Sequence, residues 1–317
     1  MKIHTFICQI LQKMQAEMQG EAEVSVVNVT KNNGVVLSGL TFSSKNVNIS
    51  PTIYLEDFYT EYQNGKGMED ILEEIKEIYN SSKLEKDIDM NFFTNYEKAR
   101  KNIVFKLINY DKNQKLLEEI PHEKYLDFAI VFYYLVDMKE FSNATILIHN
   151  KHCENWGVDT QELLRVAKEN TPKLLKVNFC GMMDILKELV SEDYLLEKRA
   201  KEERCIDKEE YECLMETYIR KDETGMYVLS NFSRLYGAGV ILYDGVLENC
   251  AKVLGGSFYI LPSSVHEVII VPDEGQMTKE NLEAMVREVN ATQVEEQELL
   301  SDYVYYYSIS EGAVQRL

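Results

Sequence analysis

The chain has 317 residues, 45% of them hydrophobic and 27% charged, and a chain of this length and composition can bury a core without disulfide bonds or metal ions. Its 53 acidic and 34 basic residues give a formal net charge of −19. Because such a charge repels phosphate groups, we expect neither nucleic acid nor an anionic membrane surface as a partner. Composition determines neither whether the chain binds another protein nor its oligomeric state.

Cysteine spacing and hydropathy indicate a cytoplasmic protein. None of the six cysteines forms a C-x-x-C pair, and the closest two, Cys205 and Cys213, are eight residues apart. This spacing predicts neither a zinc site nor a disulfide framework, so we expect free thiols in a reducing compartment. Polar residues interrupt the apolar N-terminus, and no run approaches the ~20 apolar residues that a membrane span needs. We therefore expect neither a signal peptide nor a transmembrane helix.

The N-terminal part of the chain alternates between helical and strand-like patterns. Apolar residues recur every three to four positions over residues 3–18, which predicts an amphipathic helix. Two β-branched runs, 24–29 and 35–40, flank an Asn-Gly pair and predict a hairpin. A short strand at 52–55 follows a proline, and the apolar positions over 68–79 predict a second amphipathic helix.

The middle of the chain is richer in strands. Residues 103–110, 127–136 and 144–149 are apolar and predict three strands. Residues 159–170 predict a helix with a capping-box start, and we expect Pro172 to mark its exit.

A charged tract, residues 191–225, suggests a boundary. A strand at 174–179 and a helix at 182–189 precede the tract, and apolar residues are scarce within it. We therefore predict an N-terminal lobe at 1–190, a connecting tract at 191–225 and a C-terminal lobe at 226–317.

The C-terminal lobe shows strands joined by turns and separated by single helices. The elements that we predict there are strands at 226–229 and 238–243, a helix at 246–254, a hairpin of 257–261 with 265–271, a helix capped by Thr278 and a tyrosine-rich strand at 303–307. Strands that are adjacent in sequence favour antiparallel pairing. The prediction for the whole chain is an α+β fold with mostly antiparallel sheets, packed amphipathic helices and two lobes.

Several segments carry a resemblance to a known family. They include TKNNGVVLSGL, PTIYLEDFY, LDFAIVFYYLV, NATILIHNKHCENWGV, GAGVILYDGVL, FYILPSSVHEVIIVPD and LSDYVYYY. In this order and over nearly the whole chain, they resemble an uncharacterised bacterial family, domain of unknown function 5688. The resemblance implies a cytoplasmic bacterial protein of mixed α and β structure. It implies no reaction and no catalytic residues.

The first candidate site lies in the hairpin after Pro262, where Ser264, His266 and Glu267 follow one another. A nucleophile needs a base within hydrogen-bond reach and an acid that orients the base. If 265–271 is a strand, Ser264 and His266 share a face and Glu267 points to the other face. A local triad is then geometrically poor, and any catalytic acid has to come from another segment.

Two further polar groups are weighed against ordinary structural roles. His149 and His152 lie near Cys153 and have zinc-ligand chemistry, but we expect a strand end that enters a loop, without a second ligand pair. The amides Asn109, Asn150, Asn170 and Asn231 stand at predicted element ends, where side chains of this type satisfy backbone groups.

The glycine-containing segments match neither a dinucleotide fingerprint nor a phosphate-binding loop, so we expect no cofactor. The leading hypothesis is a binding or assembly protein without catalysis, with strand 303–307 and tract 191–225 as contact regions. The alternative is a hydrolase-like enzyme in which His266 is the base and Ser264 the nucleophile or Glu267 the acid. A metal-dependent protein that uses His149 and His152 ranks third.

Overall fold

The protein is described by a computed structural model with an α+β fold. The described residues are 1–43, 51–82, 90–136, 144–183, 185, 225–262, 264–275 and 277–317. They form two compact units, Met1–Asn95 and Tyr96–Leu317. None of the helices in these ranges has the length and apolar character that a membrane-spanning helix needs.

The first unit packs helices against one face of a three-stranded antiparallel sheet. Its elements are α1 (Ile3–Glu17), β1 (Glu23–Thr30), a 3-10 turn (Asn32–Gly34), β2 (Val36–Ser43), β3 (Thr52–Tyr54), α2 (Glu56–Gln63), α3 (Met68–Ser82) and α4 (Asn91–Thr94). Phe6, Ile10 and Met14 of α1 are fully buried in one cluster with Leu40 and Phe42 of β2. The predicted helices, the Asn-Gly hairpin and the short third strand are therefore confirmed.

The second unit contains two antiparallel sheets. Its elements are α5 (Tyr96–Ala99), a 3-10 turn (Arg100–Asn102), β4 (Ile103–Asn109), α6 (Gln114–Glu119), β5 (His122–Tyr125), β6 (Phe128–Leu135), β7 (Thr145–Leu147), α7 (Asn150–Trp156), α8 (Thr160–Leu174), β8 (Val177–Gly181), β9 (Tyr227–Asn231), a 3-10 helix (Gly237–Leu242), α9 (Val246–Leu254), β10 (Phe258–Leu261), β11 (Val268–Pro272), α10 (Lys279–Thr292), β12 (Tyr305–Ser308) and β13 (Ala313–Arg316).

Both sheets of the second unit contribute to one core. β6 pairs with β4 along one edge and with β5 and β7 along the other. The six-stranded sheet has the order β13-β12-β10-β11-β9-β8. Phe105 and Phe132 of the smaller sheet share a buried cluster with Phe258 and Tyr305 of the larger one, and Leu163 of α8 joins them.

The division into units differs from the predicted lobes. β8 precedes the charged tract and β9 follows it, yet the two strands pair from Val177 opposite Asn231 to Gly181 opposite Tyr227. Segments that we assigned to separate lobes are thus neighbours in one hydrogen-bonded sheet. The compact units divide near Asn95 instead. Tract 191–225 lies outside the described residues except for Gly225, and of the predicted helix 182–189 only residues 182, 183 and 185 are described.

The predicted strand at 238–243 and the predicted end of the helix at 159–170 are wrong. Gly237–Leu242 is a buried 3-10 helix, and the strand prediction failed because a short apolar run carries no clear period. Gly239 lets this helix pack closely, since an added Cβ would lie 3.2 Å from the Phe105 ring. In addition, α8 continues to Leu174, so Pro172 lies within its last turn rather than beyond it.

The C-terminal strand is less exposed than expected. Tyr305 and Tyr307 are 1% and 5% exposed, whereas Tyr303 before the strand is 46% exposed. Alternation along β12 turns Tyr305 and Tyr307 into the core. β13, which we did not predict, pairs with β12, so β12 is not an edge strand.

Candidate functional site

The predicted Ser-His-Glu cluster lies in a connection between two strands. β10 ends at Leu261 and β11 begins at Val268, so the assumption of a strand from residue 265 is wrong, and the facing argument built on it no longer applies. Ser264 makes an isolated bridge to Leu299 instead. Ser263 lies outside the described residues.

Ser264 serves the backbone of this connection. Its side chain is buried, and its Oγ accepts a hydrogen bond of 3.0 Å from the backbone N–H of His266. The hydroxyl also bonds the carboxyl group of Glu267. The three predicted residues therefore lie together. The serine oxygen bonds the backbone amide of His266 and not its imidazole ring.

The His266 ring joins three separate segments. Its Nδ1 lies 3.0 Å from the Arg234 carbonyl oxygen and 3.3 Å from the backbone nitrogen of Tyr236, and the tautomer of the ring decides which of the two it bonds. Its Nε2 lies 3.5 Å from Oε1 of Glu298. The backbone oxygen of His266 accepts a bond of 2.7 Å from the Ser230 hydroxyl. Both ring nitrogens thus hold neighbouring segments in place.

Glu267 lines a cavity of about 270 Å³ together with Asn178, Ser230 and Arg234. Burial raises the pKa of its carboxyl group, while the nearby His266 and Arg234 act in the opposite direction. A half-buried carboxyl group of this kind holds a proton to higher pH than an exposed glutamate does.

A stack of rings next to His266 escaped sequence reasoning. The Tyr236 ring lies between Tyr133 and His266, with centroid distances of 5.2 and 5.7 Å. Lys106 is only 8% exposed, and its Nζ lies 4.0 Å from the Tyr236 ring centroid and 4.5 Å from that of Tyr133. These are cation–π distances. The signal was a lysine in the otherwise apolar run of β4.

Residues 232–236, which we call the Phe232 loop, are held in an unusual conformation. Arg234 and Tyr236 have positive φ values of 49° and 54°. The fully buried Asn231 side chain donates to the Leu235 carbonyl and accepts from the Leu235 N–H, at 2.8 and 3.2 Å. At its tip, Phe232 is 72% exposed.

Gly237 closes the Phe232 loop by close approach. A Cβ at this position would lie 2.0 Å from the Ser230 hydroxyl and 2.4 Å from the His266 carbonyl oxygen. Only glycine fits between these two segments.

His149 and His152 serve the start of a helix. The expected loop is wrong, because α7 begins at Asn150 with His149 as its N-cap. The His149 N–H donates to Nδ1 of His152 at 3.0 Å. Burial, and secondarily His149, lowers the pKa of His152. The described residues contain no group of three or more metal-ligating side chains, so this pair gains no further ligand among them.

The four amides that we assigned to structural roles fill such roles. Asn109, Asn150, Asn170 and Asn231 each donate to at least one backbone carbonyl, at 2.7 to 3.1 Å. That interpretation is confirmed.

A second feature that sequence reasoning missed is a groove of about 910 Å³ between α9 and the β12–β13 pair. Apolar side chains form its floor, among them Ile241, Leu247, Tyr307 and Val314. The small residues Gly245, Ala251, Gly312 and Ala313 form part of its walls, and the charged residues Asp244, Glu248 and Lys252 stand along its rim. Glu248 and Lys252 pair with each other at 2.6 Å.

Comparison with known proteins gives one family. A family model described as a family of unknown function, DUF5688, matches residues 3–309. The chain belongs to this family. No curated protein and no solved structure matches the chain. The predicted resemblance is confirmed.

Proposed function

We propose that this DUF5688 protein is a binding and assembly protein without catalysis, and that the groove between α9 and β12–β13 receives its partner. The groove itself carries the proposal. Concave sites with an apolar floor and a few polar groups are where proteins bind ligands, and about 910 Å³ lies near the upper end of the usual range.

The groove lining favours a segment of a protein chain. Ala313 and Gly312 leave room for a backbone to approach, and Ile309, which is 52% exposed, offers an apolar contact. Two carboxylates against one lysine at the rim favour an apolar segment that carries a basic group. The net charge of −19 argues against a nucleic acid in this role.

A bacterial cytoplasmic location is part of the proposal. Cys8, Cys153 and Cys250 are free thiols, which supports a reducing compartment. The acidic charge is compatible with a soluble protein that binds other proteins.

A peptide library tests the groove. Peptides selected on the purified protein should bind it and should lose at least tenfold in affinity against Ala313→Trp, which fills the groove from an exposed position of β13. Gln315→Trp is the matched control, because Gln315 is exposed on the same strand and does not line the groove. Equal binding to all three proteins would place the site elsewhere.

The hydrolase-like alternative rests on one observation, the cavity in which burial raises the pKa of Glu267 beside His266. The contacts of Ser264 argue against Ser264 as the nucleophile, because its oxygen accepts a hydrogen bond from the backbone amide of His266. Turnover of chromogenic esters that disappears in both His266→Gln and Glu267→Gln, and persists in Ser264→Ala, would favour an acid–base enzyme over a binding protein.

A further inference from the structure

The Phe232 loop is a rigid projection with interface chemistry. Non-glycine residues in the left-handed region are costly and persist only where surrounding contacts hold them. Here the contacts come from Asn231 and His266, which hold Leu235 and the Arg234 carbonyl from behind. The exposed residues at its front are Phe232 and Arg234, an aromatic ring and a guanidinium group. Both residue types are enriched in the energetic centres of protein interfaces.

The surface around Phe232 is apolar and basic on a strongly acidic chain. The Phe232 N–H donates to the carbonyl of Lys176, which brings the C-terminal end of α8 and the start of β8 beside the loop. Leu174 and Val177 are 41% and 38% exposed there. The Lys176 side chain is exposed as well, so a positive charge lies next to the exposed apolar groups.

The groove offers the complementary chemistry. Its floor is apolar, and its rim carries the exposed carboxylates Asp244 and Glu248. A loop cannot fold back into the groove of its own chain, because both are attached to the buried 3-10 helix Gly237–Leu242. The loop precedes that helix, and the groove lining, apart from Tyr125, begins at Ile241 within it.

We propose that the Phe232 loop of one copy of this protein binds in the groove of a second copy, a proposal that rests on the binding function of the groove. Phe232 enters the apolar floor, and the exposed Lys176 beside the loop lies toward the exposed carboxylate of Asp244 at the rim. The two surfaces are different, so the contact is heterologous, and a pair of copies keeps one free loop and one free groove for further neighbours. The protein therefore associates head to tail.

Sedimentation of single variants and of their mixture tests this arrangement. The wild-type protein should form a concentration-dependent series of oligomers in the micromolar to millimolar range. Phe232→Ser removes the loop contact and Ala313→Trp fills the groove, so each variant alone should sediment as a monomer. An equimolar mixture should give a 1:1 dimer and nothing larger, because one intact loop then meets one intact groove.

Controls separate this proposal from the proposed function. Val253→Ser removes an equally exposed apolar side chain of α9, 71% exposed and outside the groove lining, and should assemble like wild type. Circular dichroism verifies that each variant folds. A wild-type protein that stays monomeric, oligomers that survive Ala313→Trp, or a mixture without dimers would each overturn head-to-tail association. If selected peptides still bind the groove in those cases, the groove remains a binding site for another partner.

Discussion

Two polar turns of the second unit each contain a histidine, and contacts of different range stabilise them. At the start of α7, His149 and His152 are three positions apart and bond each other. At the connection before β11, His266 contacts Arg234 and Ser230, which are 32 and 36 positions away in the chain. The first turn serves one helix, whereas the second joins three segments. By residue type alone, both turns resembled functional sites, and the sequence did not show this difference in the range of their contacts.

The largest difference in stability between the two turns should come from the glycine near each of them. Gly237→Ala forces a methyl group into the Ser230 hydroxyl and the His266 carbonyl oxygen, and we expect it to lower the free energy of unfolding by about 3 kcal/mol. Gly157→Ala, at the end of α7, meets no atom within 4 Å and suffers only from its φ of 69°, for about 1 kcal/mol. Urea unfolding measures both. Equal losses would remove the distinction between the turns.

The side-chain amides Asn231 and Asn150 should show the next largest difference in stability. Asn231→Ala leaves the backbone N–H and carbonyl of Leu235 without their side-chain partners, and we expect a loss of about 2 kcal/mol. Asn150→Ala removes one exposed bond to the Glu118 carbonyl and should stay within about 0.5 kcal/mol of wild type. The same urea curves report both values. A loss below 1 kcal/mol for Asn231→Ala would show that the Phe232 loop holds its shape by other means.

The next largest difference in stability should come from the histidines His266 and His152. His266→Gln loses the contacts that the ring makes with two segments at once, and we expect a loss of about 1 kcal/mol. His152→Gln keeps a side chain that can complete the capping box at the start of α7, so it should be neutral within about 0.5 kcal/mol. Thermal unfolding at a single pH compares the two variants. A larger loss at His152 would reverse the ranking.

The smallest expected effect is a dependence of the free energy of unfolding on pH. The pKa of Glu267 is raised in the folded state, so its stabilising contribution is complete below the usual glutamate pKa of about 4.3 and disappears as pH rises through the raised pKa. Glu267→Gln should therefore gain stability relative to wild type as pH rises from acid to neutral. Unfolding curves across that range measure the gain.

Glu162 is a control, because its contribution to stability should change with pH in the opposite direction. Its bond to Arg165 lowers the pKa of this half-buried carboxyl group, so its contribution is present at neutral pH and is lost as pH falls through the lowered pKa. Glu162→Gln should lose stability relative to wild type at neutral pH and approach it in acid. Parallel trends for the two variants would contradict the assignment for Glu267.

Most elements were predictable because their signals are local. The helices at Ile3–Glu17, Met68–Ser82 and Val246–Leu254 were visible from their apolar periods, and the β1–β2 hairpin from its Asn-Gly turn. The 3-10 helix Gly237–Leu242 was not, since its conformation depends on packing against Phe105. The pairing of β8 with β9 was equally invisible, because a charged tract separates the two strands in the chain.

By itself, the sequence determined the α+β class, the capped helices, the acidic charge and the grouping of Ser264 and Glu267 with His266. Only the tertiary structure decided what those residues do. It directed the Ser264 hydroxyl to a backbone amide, stacked Tyr236 between His266 and Tyr133, and opened a groove beside β13. The physical reason is the range of the interactions. Periodicity and capping act over one or two turns of chain, whereas a site is made by segments that meet only after the two sheets have packed.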